Sequence, residues 1–137
     1  MKLTDDPFSI IQAVTASGVI VWDAIDEEII AANQTAAQIL ALPLRTLLRL
    51  AVCRHRITLL RPDGTPLPWE DRPSARALRT GQAQRNVLVG VAYPDGQRRD
   101  VCVDAVPVRW RRDEGTVRWV VISFIDVSEQ AGTERPV

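Results

Sequence analysis

Alternation of apolar and polar positions dominates the C-terminal half of the chain. Val87, Val89, Val91 and Tyr93 point one way along a predicted strand over 86–93, and further strands are predicted over 99–110 and 116–125. Asp95-Gly96 supplies the turn between the first two, and Asp113-Glu114-Gly115 turns the chain again before the third. The N-terminal half mixes two periods. Phe8, Ile11 and Val14 recur three apart, with Ile10 four before Val14, which predicts a short amphipathic helix over 7–16 ended by Ser17-Gly18. Val19-Ile20-Val21-Trp22 and the run 29–32 are β-rich and flank the polar cluster Asp26-Glu27-Glu28, so 19–32 reads as a hairpin.

Between these halves the pattern predicts several short helices. Asn33 is placed to cap a helix whose inner face carries Ala36, Ile39 and Leu40, because its side-chain oxygen can accept from backbone N–H groups of the first turn. Pro43 breaks that helix and suits the first turn of the next, which carries Leu44, Leu47 and Leu48. Residues 61–68 (RPDGTPLP) are too rich in proline and glycine for regular structure. A further helix is predicted with Glu70 and Asp71 at its N-terminal end, Pro73 in its first turn and Gly81 as a left-handed cap.

This order of elements, one helix, two strands, short helices and three hairpin-linked strands, is that of the PAS family, and local wording agrees. Residues 30–40 (IAANQTAAQIL) resemble the strand-to-helix N-x-A-A-x-x-L pattern of PAS domains. Residues 67–81 resemble a helix-entry segment common in bacterial PAS sensors, and 93–96 (YPDG) and 105–108 (AVPV) fall where the family places them. Residues 124–129 (FIDVSE) resemble the D-[IV]-[ST]-E junction that leads from a PAS domain toward a coiled coil and an output domain.

The resemblance implies an α+β PAS fold: a five-stranded antiparallel sheet, short helices on one face enclosing a small cavity, and an N-terminal capping helix. It divides the chain into a cap helix at 1–17, a PAS domain at 18–129 and a polar tail at 130–137. It also implies a sensory role in signal transduction, with relay to an output such as a histidine kinase or a cyclic-dinucleotide enzyme. Alternation places Val87, Val89 and Val91, then Val101, Val103 and Ala105, then Val120, Ile122 and Phe124 on the cavity side. Ile39, Leu40, Leu47 and Leu78 would form the roof. Such a pocket suits a small apolar ligand; a filled core with no ligand is the alternative. The outward set, with Val106, Val108, Trp110, Trp119, Val121 and Ile125, is too apolar for a bare sheet face. Phe8, Ile11 and Val14 of the first helix would cover part of it, and in PAS proteins such a helix often packs on a partner's sheet. A homodimer through Phe8, Ile11, Val14, Val108, Trp110, Trp119 and Val121 is the expectation, against a monomer capped by its own helix.

Composition narrows the classes. At 137 residues the chain suits one domain, large enough to fold without disulfides or metal, and 46% hydrophobic with 25% charged residues is a globular balance. Zero formal net charge argues against a nucleic-acid partner. Two cysteines without CxxC spacing, and a start without an apolar run, predict a reduced, cytoplasmic protein. The greasiest stretch, 119–125, is too short to span a bilayer, so no direct membrane contact is expected.

Candidate chemistry is sparse. Cys53 sits in Val52-Cys53-Arg54-His55-Arg56, a partial likeness to the N-C-R-F-L-Q helix of light-sensing LOV domains, whose cysteine reacts with flavin. At the positions where that group grips flavin with polar side chains, this chain carries Val91, Val101 and Phe124, which offer no hydrogen bonds. His55 is the lone histidine and lies outside the helix from which haem-binding relatives present a ligand. Cys53, His55 and Cys102 lack the spacing of a zinc site. No cofactor and no metal is therefore expected. Asp104 interrupts an apolar strand, but on the side away from the cavity, and a single carboxylate there suits a bond to backbone or arginine. A small enzyme of the cone-shaped α+β isomerase type is the alternative to a non-enzymatic sensor; it would require a charged group inside the cavity.

Overall fold

The computed structural model describes residues 17–48, 57–109 and 116–128. The expected helix over 7–16, with Phe8, Ile11 and Val14, lies outside them, as do Cys53, His55, Trp110 and the turn at 113–115.

Six strands occur among the described residues: β1 (Gly18–Asp23), β2 (Glu28–Ala32), β3 (Thr58–Leu60), β4 (Gln84–Ala92), β5 (Arg98–Arg109) and β6 (Val117–Asp126). They form one antiparallel sheet in the order β2-β1-β6-β5-β4-β3. Three α-helices interrupt them: α1 (Gln34–Leu40), α2 (Leu44–Leu47) and α3 (Pro73–Thr80), with a 3-10 turn at Trp69–Asp71. The expected antiparallel α+β architecture is present, with one strand more than foreseen. β3 is that strand; three residues beside a proline-rich loop carry too short a pattern to stand out.

Local chemistry explains the boundaries. Asn33 leaves β2 in an extended conformation, and its Oδ1 accepts from Ala36 N (2.9 Å) to cap α1 and from Val19 N (3.0 Å) at the start of β1. Its Nδ2 donates to Ser17 O at 2.8 Å, so one buried amide ties the entry of the chain to the first helix. Pro43 caps α2 rather than entering its first turn; its ψ of 142° is extended.

The helix expected from Glu70 to Gly81 is instead two pieces. Pro73 crowds the residue before it out of helical geometry, so Arg72 takes ψ 148° and separates the 3-10 turn from α3. Gly81, at φ 71°, ends α3 as foreseen. β4 begins at Gln84, two residues earlier than the pattern suggests, and a bulge lies between Gln84 and Val87. Within it Asn86 adopts φ 57°, and its N–H donates to Asp104 Oδ1 at 2.8 Å. The 93–97 turn closes with Tyr93 N donating to Gln97 O and Gly96 N to Tyr93 O.

The helices pack on one face of the sheet. Ala36, Ile39, Leu47 and Ala77 meet Ile20, Trp22, Val89, Val91, Val101, Val103, Ala105, Val120 and Phe124 in a single core. Two ladders cross it: Ile20–Ile122–Ala105 and Gly18–Phe124–Val103.

Candidate functional site

The core is not completely filled. Between the sheet and the segment 57–74 lies a cavity of about 90 Å³ whose wall is almost entirely carbon. From the expected set, Val89 and Val91 on β4, Val101 and Val103 on β5, and Ile122 and Phe124 on β6 line it, and Leu40 does so from α1. Ile39, Leu47, Ala105 and Val120 are buried in the same core outside the cavity wall, and Leu78 packs against the core part-buried. The three positions corresponding to flavin-gripping residues, Val91, Val101 and Phe124, all face this space.

Sequence reasoning missed the other half of the wall. Ile20, Trp22 and Ile29 enter from β1 and β2, and Ile57, Leu59, Trp69, Arg72, Pro73 and Ser74 close the opposite side. Trp22 and Trp69 meet edge to face, with ring centroids 6.3 Å apart. Arg72 is buried, its Nη2 donating to Ile57 O at 2.7 Å and its guanidinium carbon 5.2 Å from the Trp69 ring centroid. The Arg72-Pro73 dipeptide was the available signal: an extended residue before proline turns its side chain out of the helical series.

Phe124 owes its place to Gly18, its partner across the β1–β6 ladder. A Cβ on residue 18 would stand 2.6 Å from Phe124 Cε2 and 3.1 Å from the Ala36 backbone, so only glycine leaves room for the ring. The roof is tied down by Tyr93, whose hydroxyl donates to Ile39 O at the end of α1. Burial raises the Tyr93 pKa above its ordinary 10.0, which keeps that donor protonated.

The charge inside the cavity wall is Arg72, and arginine, always protonated, cannot serve as a general base. No carboxylate, histidine or cysteine is among the described residues of the wall. Asp104 lies on the opposite face, bonded to Asn86 N and 3.8 Å from Arg85 Nη1. Among the described residues no three potential metal ligands cluster, and no helix is long and apolar enough to cross a membrane.

At the exit of β6 a compact network holds the chain. Asp126 Oδ1 accepts from Ser128 N (2.9 Å), its Oδ2 pairs with Arg99 Nη1 (3.1 Å), and Ser128 Oγ accepts from Asp100 N (2.7 Å). The family model described as PAS fold matches residues 5–125.

The chain belongs to the PAS family.

Solved structures agree on the fold. An RNA-binding light-oxygen-voltage receptor matches at a TM-score of 0.68 and 20% identity, over 94% of this chain and 34% of that one, so this chain spans about a third of that receptor. The PAS domain of nitrogen regulation protein NR(II) from Vibrio parahaemolyticus matches at 0.61 and 15% identity, over 88% of this chain and 98% of that one. A PAS domain from a two-component sensor histidine kinase matches at 0.57 and 8% identity, covering 87% and 91%. No curated protein sequence matches. PAS domains are typically sensory modules.

Proposed function

We propose that this PAS domain is a cytoplasmic sensory module that binds a small apolar ligand in its core cavity, works as a homodimer and relays to a signalling output. The observation that carries this reading is the cavity itself: nearly all-carbon walls around space that the core does not fill. Residues 18–129 act as the sensor, 1–17 as a capping helix and 130–137 as the way out. The neighbours from NR(II) and from a two-component histidine kinase support an output of that kind.

Dimerisation is supported by the outer face of the sheet. Register aligns Val21 with Val121 and Val106, and Trp119 with Val108, in two adjacent apolar rows. Val19 and Val21 are buried there at 4% and 1% exposure, whereas Val106, Val108, Trp119 and Val121 are half-buried and Ile125 is 53% exposed. The most economical assembly is two-fold, each copy offering this same patch.

Native mass spectrometry of protein purified from its host tests the ligand: a retained small molecule supports the reading, and bare chain under gentle ionisation at every stage opposes it. Sedimentation tests the dimer. Trp119→Glu places a carboxylate in an apolar contact, at a cost of several kcal/mol, and dissociation with the fold retained supports the interface. An unmutated chain that stays monomeric at high concentration rules it out.

A further inference from the structure

We infer that a second binding site lies on the open edge of β4: a groove that takes a monocarboxylate with an apolar body, its carboxylate on the guanidinium of Arg76 and its body against Leu88. The inference does not rest on the core cavity being a binding site.

β3 borders β4 only along Gly90–Ala92, so among the described residues the stretch Gln84–Val89 has no strand on that side. The loop 61–67 and the start of α3 stand beside it instead and leave an open groove of about 290 Å³. Leu67, Pro73, Val87, Leu88 and Val89 give that groove its apolar surface. Leu88 is 44% exposed, and the carbon body of a guest laid along the groove would remove it from water.

Charge sets the other half of the guest. Arg61, Arg76 and Asp71 line the groove, two guanidinium groups against one carboxylate, which leaves a single positive charge to be matched. Arg61 is committed: its Nη1 donates to Pro66 O at 2.8 Å and its Nη2 to Asp71 Oδ2 at 3.3 Å. Arg76 is not. Its Nη2 stands 3.8 Å from Asp71 Oδ1, beyond hydrogen-bond range, and its guanidinium makes no hydrogen bond among the described residues. Arginine presents a planar fork of N–H donors that fits a carboxylate through paired, charge-assisted bonds. A monocarboxylate matches the charge of the groove, and a phosphate dianion exceeds it. The Arg76 side chain is 52% exposed, so solvent screens the pairing and its effect on affinity is modest.

The test uses the full chain, 15N-labelled, at neutral pH, titrated with three probes on one six-carbon chain: hexanoate, 1-hexanol and hexyl phosphate. Pro73 and Val89 border the core cavity as well as the groove, so Leu67, Leu88 and Arg76 report on the groove alone, and Val101 and Val103 on the cavity alone. Hexanoate is expected to shift the Leu67, Leu88 and Arg76 resonances with saturation. Arg76→Gln is expected to weaken that binding about three- to tenfold and to leave 1-hexanol unchanged. Leu88→Ser is expected to weaken both. Arg85→Gln, at an exposed arginine outside the groove, is expected to change neither. Should a variant not fold, the contrast between hexanoate and hexanol in the unmutated chain decides by itself. Equal weakening by Arg76→Gln and Arg85→Gln reduces the effect to a diffuse field and overturns the site. Equal binding of hexanol, or tighter binding of hexyl phosphate, overturns the carboxylate assignment. Shifts confined to cavity residues, or no shifts at all, overturn the groove and leave the cavity to the retained-ligand measurement above.

Discussion

Along β5, Val101, Val103 and Ala105 are buried, while Cys102, Asp104 and Val106, each one residue away, are only half-buried. The same contrast runs along β6, where Val120 and Phe124 are buried and Trp119, Val121 and Ser123 are not. The inner face is closed by this chain's own helices around a small void. The outer face carries apolar rows in which Val19 and Val21 are buried and Val106, Val108, Trp119 and Val121 are half-buried. One sheet therefore has an inner face closed by the chain's own helices and an apolar outer face that is only partly covered. Substitutions one residue apart should have unlike consequences.

The largest effect is expected from Val103→Asp. A carboxylate in the wall of a carbon-lined cavity has no compensating partner, and a loss of about 4 kcal/mol or more is expected, visible as failure to fold or a collapsed denaturant midpoint. Val106→Asp, three residues on and on the outer face, should leave monomer stability within roughly 0.5–1 kcal/mol but weaken self-association. Similar destabilisation by both would erase the distinction between the faces.

Next comes Asp23, the polar end of the outer row. Burial pushes its carboxyl up, but N–H groups of Asp26 and Ile25 and the Arg118 guanidinium (3.1 Å) outweigh that and hold it below the ordinary 3.8. A carboxylate whose folded pKa is depressed adds stability that is fully present above its unfolded value and is lost as pH falls through the folded one. Acid unfolding below about pH 4 should thus depend on Asp23, and Asp23→Ala should cost about 2–3 kcal/mol at neutral pH while flattening the acid limb of a stability–pH curve. An unchanged acid limb would detach this group from the fold.

Gly18→Ala is expected to cost roughly 1–3 kcal/mol, because the new methyl must displace Phe124 or the Ala36 backbone. If Phe124 yields, it moves into the cavity and narrows it, so any ligand retention there should fall as well as stability. The smallest effect is none at all. Val91, Val101 and Phe124 give a flavin no polar grip, and purified protein is expected to show no stoichiometric visible absorption band; a co-purifying chromophore would contradict this.

Much of the inner face was legible because alternation is a local property. Val89, Val91, Val101, Val103 and Phe124 follow from period two alone, and the Asn33 cap and the Gly81 stop follow from residue chemistry. The rest of the cavity depends on contacts that no short window contains. Trp22 and Trp69 are 47 positions apart in the chain yet share an edge-to-face contact, and Arg72, extended ahead of Pro73, is buried by its contacts with Ile57 and Trp69. The roof was over-assigned for a related reason: apolar spacing identifies Ile39, Leu47 and Leu78 as core residues but not which of them border a void.

The bulge in β4 bears on how the protein behaves when crowded. β3 borders β4 only along Gly90–Ala92, so among the described residues Gln84–Val89 have no strand on that side. A straight open edge of that length is a template on which chains can stack into fibrils. The kink at Asn86 and the charge of exposed Arg85 spoil the template. Concentrated solutions should therefore remain free of cross-β growth, and smoothing the bulge by deleting Asn86 should be the shortest route to amyloid.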